Sequence, residues 1–440
     1  MAWDRLQKAL DRRLQRQIAS PVLIKVKRGY LHDIYFELKD YDLSRFAIKK
    51  YFPSEIMPFG LIPGQMFPRF DMVNAILWRD DIYRFAEDRR IEKIYYDAPM
   101  YALSLVVPAE GVYQWGKLKF TTTYWTKKLI GADKANEKGF TGEGVKVAVP
   151  DTGLALYHQQ SGFRWHFETV MPFQRVDGNG HGTWTATCIA GKRSIDWDKT
   201  HRLRKNIIVE GMAPDADLLA IKCLGYLIGT GSTSQVAKAM EIALDWGADI
   251  VSMSLGGKEE AEKPEDDPYY HILNTYLENN VIPVIAAGNE GPEEGTISSP
   301  GALPQALTVG AWDPIEGKIA DFSSRGPTPW GIKPDVIAPG VNVDSGCVGY
   351  LDLILDRRED RYAPLSGTSM ATPHVAGLVV LMRQAHKQLL DKVLTVDEIK
   401  TMMKTWAEDN MIEKSNETGW GMITWDIYEW WLETQWGVKI

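Results

Sequence analysis

The chain has 440 residues, of which 45% are hydrophobic and 25% charged, with a formal charge of −8. That length and balance suit two or three packed domains and exclude a disordered or low-complexity chain. The acidic balance argues against nucleic acid as a partner, and no apolar run reaches the ~18 residues of a membrane-spanning helix.

Leu6, Leu10, Leu14 and Ile18 recur at helical spacing, so the N-terminus reads as an amphipathic helix packed on its own domain. It lacks the apolar centre of a secretory signal. This fits the cytoplasm for a native, complete chain and secretion for one that has lost a leader, so the compartment stays open. Residues 22–27, 32–38, 71–78 and 91–96 read as strands and 81–89 as a helix, a small α+β unit over residues 1–103. Residues 104–124 show no strong periodicity and read as a linker.

From residue 145 onward, apolar runs at 145–150, 217–224, 249–255 and 281–287 alternate with helical patterns at 235–246 and 269–280. This alternation predicts an α/β fold over 125–440, a parallel sheet with helices on both faces. The acidic run at 258–267 reads as a solvated loop; it offers oxygen donors but lacks the regular spacing of a calcium loop, so metal ligands stay unassigned. Thr395 and Glu398 form a capping-box pattern opening a helix to about residue 407. The tract 425–436, with four tryptophans, reads as a helix closing a core. Cys188, Cys223 and Cys347 cannot all pair and read as buried thiols.

Three segments carry chemistry. Ser369, in Leu365-Ser-Gly367-Thr-Ser369-Met-Ala-Thr-Pro373-His-Val-Ala-Gly377, lies where a glycine turn meets an apolar helical run. Pro373 is expected in the first helical turn. Backbone N–H groups at a helix start lack intrahelical acceptors, so they can stabilise an oxyanion beside this hydroxyl. A nucleophilic serine needs a base and an orienting carboxylate. His181 lies in the glycine-framed Asp177-Gly-Asn179-Gly180-His181-Gly182-Thr183, and Asp151 ends the run 144–150 before Thr152-Gly153, as a strand delivering a carboxylate to a turn would.

Taken in order, Asp151-Thr152-Gly153, His181-Gly182-Thr183 and Gly367-Thr368-Ser369-Met370-Ala371-Thr372-Pro373 resemble the three signatures of subtilisin-like serine proteases. The resemblance spans residues 122 to 425 and implies a subtilisin-like sheet and a serine endopeptidase with Asp151, His181 and Ser369 as catalytic residues. It implies that Asn289, ending 281–289, donates to the oxyanion together with the Ser369 N–H. It also implies that Ser254, Leu255 and Gly256 with Ala286, Ala287 and Gly288 bind the substrate, with Glu290 and Ser298 at the pocket's rim and floor. Residues 91–103 resemble the end of an inhibitory propeptide, which implies a ferredoxin-like N-terminal domain acting as inhibitor and folding aid. The chain would then be a zymogen that cleaves itself between residues 100 and 124. Protein or peptide substrates are the expected partners. The chemistry would need no cofactor, whereas a structural calcium is not specified by the residues. Pro150, Trp184 and the segment after His158 depart from the usual family choices.

Asp151-Thr152-Gly153 and Asp344-Ser345-Gly346 together also mimic the paired signatures of aspartic proteases, in which two carboxyls share a proton. That fold is nearly all β and leaves His181 and Ser369 without a role.

Overall fold

A computed structural model describes residues 10, 19–43, 65–97, 99–102, 120–162, 164–171, 176–203, 206–226, 229–258, 261–356 and 360–440. Seven parallel strands form its centre in the order Val336–Pro339, Leu307–Asp313, Ile282–Ala286, Ile250–Met253, Lys146–Asp151, Asp217–Lys222 and Trp165–Thr169. An eighth, Lys318–Ile319, pairs antiparallel with Leu307–Asp313. The near-continuous apolar strands follow from burial on both faces. Val147, Val149 and Val284 pack in one core with the helices His181–Ala190 and Thr368–Leu390. Ala148, Val251 and Ile285 pack in another with the helices Thr233–Trp246 and Tyr270–Glu278. Pro150, which has no N–H to give a ladder, stands where pairing to Ile250–Met253 has already ended at Ala148.

The four strands and two helices expected after residue 145 are present, as are the capping box of Thr395 with Glu398 and the helix Trp425–Trp436, whose Trp425, Tyr428 and Trp431 close the core. Strands Trp165–Thr169, Leu307–Asp313 and Val336–Pro339 escaped the sequence reading. Cys188, Cys223 and Cys347 are buried free thiols. No helix among the described residues is long and apolar enough to cross a membrane.

The N-terminal unit is a four-stranded antiparallel sheet ordered Met66–Phe67, Met72–Trp78, Ala19–Val26, Ile91–Tyr96. One expectation is corrected here: residues 32–38, read as a strand, lie in the helix Leu31–Leu43. Alternation of Ile34, Phe36 and Leu38 suggested a strand, but Phe36 is 58% exposed, and the buried set Leu31, Ile34 and Leu38 follows the helical period. Of the expected N-terminal helix only Leu10 is described; it is helical and buried. The other positions lie outside the described residues.

Alternation along Ala19–Val26 splits the sheet's contacts. Val22, Ile24 and Val26 pack with Ile34, Ile82 and Phe85 of the unit's own helices. Leu23 and Tyr95 face the other way, into the core shared with Val236, Met240 and Ile272. Polar contacts reinforce this docking: the Arg69 N–H donates to Glu241 Oε1 at 2.9 Å, Arg69 pairs with Asp245 at 2.7 Å, and Lys93 pairs with Asp266. The acidic run is therefore not simply a solvated loop. Its Asp266 meets the N-terminal unit, and its Asp267 accepts from the Tyr269 N–H at 2.7 Å and from the Ser299 hydroxyl.

Asp97 follows this sheet and accepts the Ser234 N–H at 2.7 Å, at the start of the helix Thr233–Trp246. The chain then forms the strand Pro99–Ala102, which lies between Thr230–Ser232 and Leu255–Gly256, antiparallel to both. Burial pushes the Asp97 carboxyl up to about 6, against the Ser234 and Asn74 hydrogen bonds. A carboxyl raised in the folded state adds stability below its ordinary value of 3.8 that is lost as pH rises through about 6. Asp97→Asn, which keeps an acceptor without the charge, is expected to gain on the parent chain between pH 4 and 7. The gain should be on the order of 2–3 kcal/mol at one pH unit being about 1.4 kcal/mol. Melting temperatures of both chains across that range check it; parallel curves would contradict it.

Candidate functional site

The expected residues gather at the carboxyl ends of adjacent strands, where sheets of this type place their sites. Asp151 ends Lys146–Asp151, Ser254 follows Ile250–Met253, and Ala287, Gly288 and Asn289 follow Ile282–Ala286. The helices His181–Ala190 and Thr368–Leu390 bring His181 and Ser369 to the same edge.

His181 and Asp151 are both fully buried, and the imidazole Nδ1 lies 2.7 Å from Asp151 Oδ1. The carboxylate also accepts the Thr152 N–H at 2.6 Å and the Thr185 hydroxyl at 3.4 Å. Three acceptor contacts satisfy the oxygens of a carboxyl group held away from water. An acceptor at Nδ1 places the proton there and leaves Nε2 a lone pair. Nε2 is buried and has no hydrogen-bond partner among the described residues. Gly182 makes this approach feasible, since a Cβ there would lie 2.3 Å from the Gly153 carbonyl oxygen. Trp184, one of the unusual residues, is buried and donates from Nε1 to the Ala363 carbonyl at 2.9 Å. It leaves the Asp151–His181 contact intact.

A residue with no assigned role in the sequence reading organises this arrangement. Asp177 Oδ1 accepts the Thr152 hydroxyl at 3.0 Å and the N–H groups of Asn179 at 3.1 Å and Gly180 at 2.8 Å. Its Oδ2 accepts the Thr183 N–H at 2.9 Å and hydroxyl at 2.7 Å. One carboxylate thus ties the turn after Asp151 to the start of the helix bearing His181. An aspartate four residues ahead of a helix-opening histidine in a glycine-rich segment is the signal that could have found it. Lys222, also buried, donates to the Thr152 and Leu224 carbonyls, and burial lowers its pKa despite Asp177, Cys223 and Asp151 nearby.

Ser369 is the second residue of Thr368–Leu390, so Pro373 falls in the second turn and not, as expected, in the first. The consequence is local. Pro373 has no N–H to bond the Ser369 carbonyl four residues back. The Ser254 hydroxyl donates to that carbonyl instead, at 2.9 Å, and the Ser369 hydroxyl donates to the Ser254 carbonyl at 2.9 Å. The Ser369 hydroxyl and His181 Nε2 are therefore not hydrogen-bonded to each other in this state. Asn289 Oδ1 accepts the Thr368 N–H at 2.9 Å and hydroxyl at 3.1 Å. A backbone N–H can only donate, so the Asn289 oxygen is fixed toward the helix and its NH2 faces away. Gly288 is required in the same turn: its φ is +115°, and a Cβ would lie 2.5 Å from Ser298 Oγ. Ser298 N–H donates to the Ala287 carbonyl at 2.8 Å, and Glu290 is exposed.

Asp344, the rival partner for Asp151, is held elsewhere. Lys199 Nζ lies 2.7, 3.2 and 3.8 Å from Asp196, Asp344 and Asp360. Asp151 bonds an imidazole while Asp344 pairs with an ammonium, so the two do not share a proton. Burial drives the Asp344 pKa up, and the carboxylates around Lys199 keep its ammonium charged against the cost of burial. Among the described residues, no group of three or more His, Cys, Asp or Glu side chains could hold a metal ion.

A model of the Subtilase family matches residues 142–421. Serine protease AprX of Bacillus subtilis is 33% identical over 309 residues, covering 66% of this chain and 66% of AprX. Subtilisin Savinase of Lederbergia lenta is 37% identical over 261 residues, 59% of this chain and 84% of Savinase. The thermostable alkaline protease of Halalkalibacterium halodurans is 31% identical over 321 residues, 73% of this chain and 74% of that protein. The matched region takes in the strand ends, both helices and every residue gathered at this edge, and on that ground the chain belongs to the subtilase family.

Proposed function

We propose that the chain is a serine endopeptidase that hydrolyses peptide bonds through an acyl-enzyme. Ser369 is its nucleophile, His181 its general base and acid, and Asp151 the carboxylate that orients the imidazole. The observation that carries this reading is the buried 2.7 Å contact of His181 Nδ1 with Asp151, which leaves Nε2 as a lone pair with no partner among the described residues. The Ser369 hydroxyl leaves the Ser254 carbonyl and gives its proton to His181 Nε2 as Oγ attacks the substrate carbonyl. His181 then protonates the leaving amine, and water repeats the sequence on the ester. The Asn289 NH2 and the Ser369 N–H donate to the developing oxyanion. No metal or cofactor is needed for these steps.

Ser254 to Gly256 pair with an extended substrate, and these residues and Ala286 to Gly288 wall its main side-chain pocket. The N-terminal unit is a propeptide-type inhibitor, and the strand Pro99–Ala102 occupies the groove a substrate would use. The chain is accordingly a zymogen that matures by cutting itself, with residues 1–103, 104–124 and 125–440 as inhibitory domain, linker and catalytic domain.

Three outcomes are expected. Ser369→Ala should abolish hydrolysis of a chromogenic peptide and stay full length on a gel while the parent shortens; equal shortening of both would refute self-cleavage. Asn289→Leu should lower kcat by about 10²–10³ with KM little changed, the size associated with subtilisin's own oxyanion donor. Asp177→Ala removes no atom that touches substrate yet unties the acid turn from the histidine helix. It should cost about 10–10² in kcat at near-constant KM, and Asp177→Asn, which keeps one acceptor oxygen, should lose less.

A further inference from the structure

Lys222 is fully buried beside the site and takes no part in the hydrolytic steps. It stands in register with Asp151 on the neighbouring parallel strand, so both side chains leave the sheet on the same face. Its Nζ donates to the Thr152 carbonyl and, at 3.1 Å, to the Leu224 carbonyl. Thr152 is also the residue whose N–H reaches Asp151 and whose hydroxyl reaches Asp177. One residue therefore lies between the ammonium and both carboxylates. Gly182, next to His181, donates to the same Thr152 hydroxyl at 2.8 Å. Because the ammonium spends its hydrogen bonds on carbonyls, its charge acts on Asp177 and Asp151 through space.

Asp151, Asp177, His181 and Lys222 are all buried. The Tyr226 ring lies 5.9 Å from Lys222 Nζ and covers Gly178, where a Cβ would lie 2.0 Å from Tyr226 Cζ. Cys223 follows Lys222 in the chain, and Cys347 Sγ donates to the Gly180 carbonyl at 3.6 Å. Burial pushes both thiols well above their ordinary value, so neither adds a charge. On the other flanking strand Thr169 pairs with Lys222, and Glu168 is exposed. Among the described residues, the charges that face one another out of water are thus Asp151, Asp177 and Lys222, joined by His181 whenever its imidazole takes a second proton. Charges so placed interact several times more strongly than in water.

Resting on the protease reading above, we propose that Lys222 is a positioning residue for proton transfer: its ammonium opposes a second positive charge at His181 and so keeps Nε2 free to accept the Ser369 proton. Two carboxylates near an imidazole favour the imidazolium, and a protonated base cannot take the serine proton. One buried cation offsets one of those carboxylates. The same cation opposes the imidazolium formed during attack, but that charge arises together with the oxyanion and never stands alone. A merely structural lysine would hold the Thr152 turn through its hydrogen bonds and leave the protonation of the base as it was.

The pH dependence of kcat/KM on a chromogenic peptide, measured for the purified parent, Lys222→Met and Lys222→Gln, tests this. The acid limb reports protonation of the base in the free enzyme. Lys222→Met removes the charge and the hydrogen bonds, whereas Lys222→Gln removes the charge and keeps a donor for the carbonyls. In both, the acid limb should move up by about 0.5–1 pH unit, which is about a three- to tenfold loss at pH values below the parent's limb. The pH profile of fluorophosphonate labelling at Ser369 should move by the same amount, since it needs the base and no bound peptide. An acid limb that stays at the parent's pH or moves down in either folded variant overturns the proposal. So does a limb that coincides with unfolding read by tryptophan fluorescence, or failure of both variants to fold. A folded parent chain that hydrolyses no peptide and takes no label overturns the protease reading beneath it instead.

Discussion

The site depends on one buried contact, the 2.7 Å approach of Asp151 to His181 with both side chains out of water. A carboxylate in that position is costly unless its oxygens are satisfied, and an imidazole beside it is useful only if its other nitrogen stays available. Both conditions act on the surrounding chain. They account for the Thr152 N–H turned onto Asp151, the glycine that lets the histidine helix approach, and the Asp177 carboxylate that gathers hydrogen bonds from the two segments. Lys222 adds a buried cation behind the same turn.

A comparable local logic holds Ser369. Pro373 removes one helical hydrogen bond, and the carbonyl it frees belongs to Ser369 itself. Ser254 fills the vacancy and in return accepts the Ser369 hydroxyl. A helix irregularity thus fastens the serine to the edge that pairs with the strand Pro99–Ala102. Ser254, which holds Ser369, directly precedes the two residues that pair with that strand. The docking of the N-terminal sheet, through Leu23 and Tyr95 on one face and Asp97 at a helix start, aims the chain along that edge.

Residues whose settings are local were legible in the sequence. Asp151, His181, Ser369 and Asn289 each sit in a short segment whose glycines, strand ends or helix starts reveal their setting, and alternating apolar runs gave the parallel sheet. Roles that depend on distant partners were not legible. Asp177 sits in the same glycine-rich segment as His181, but its importance lies in a hydrogen bond from Thr152, 25 residues away, which the segment alone does not reveal. Lys199 sits among Asp196, Asp344 and Asp360, which only folding brings together. The helix Leu31–Leu43 was misread because three apolar residues happened to alternate, although only two of them are buried. The first-turn placement of Pro373 failed for a different reason: the helix begins earlier than a proline normally permits, and Ser254 compensates.

The claim at the centre is that Asp151 and His181 make the Ser369 hydroxyl a nucleophile. Fluorophosphonate labelling, with the adduct mapped by peptide mass spectrometry, addresses it most directly, since the reagent bonds a serine oxygen only where a base removes its proton. The account predicts a single adduct on Ser369 in the matured enzyme, lost in His181→Ala and strongly reduced in Asp151→Asn. An adduct elsewhere, or labelling of Ser369 that persists at full rate without His181, would contradict it.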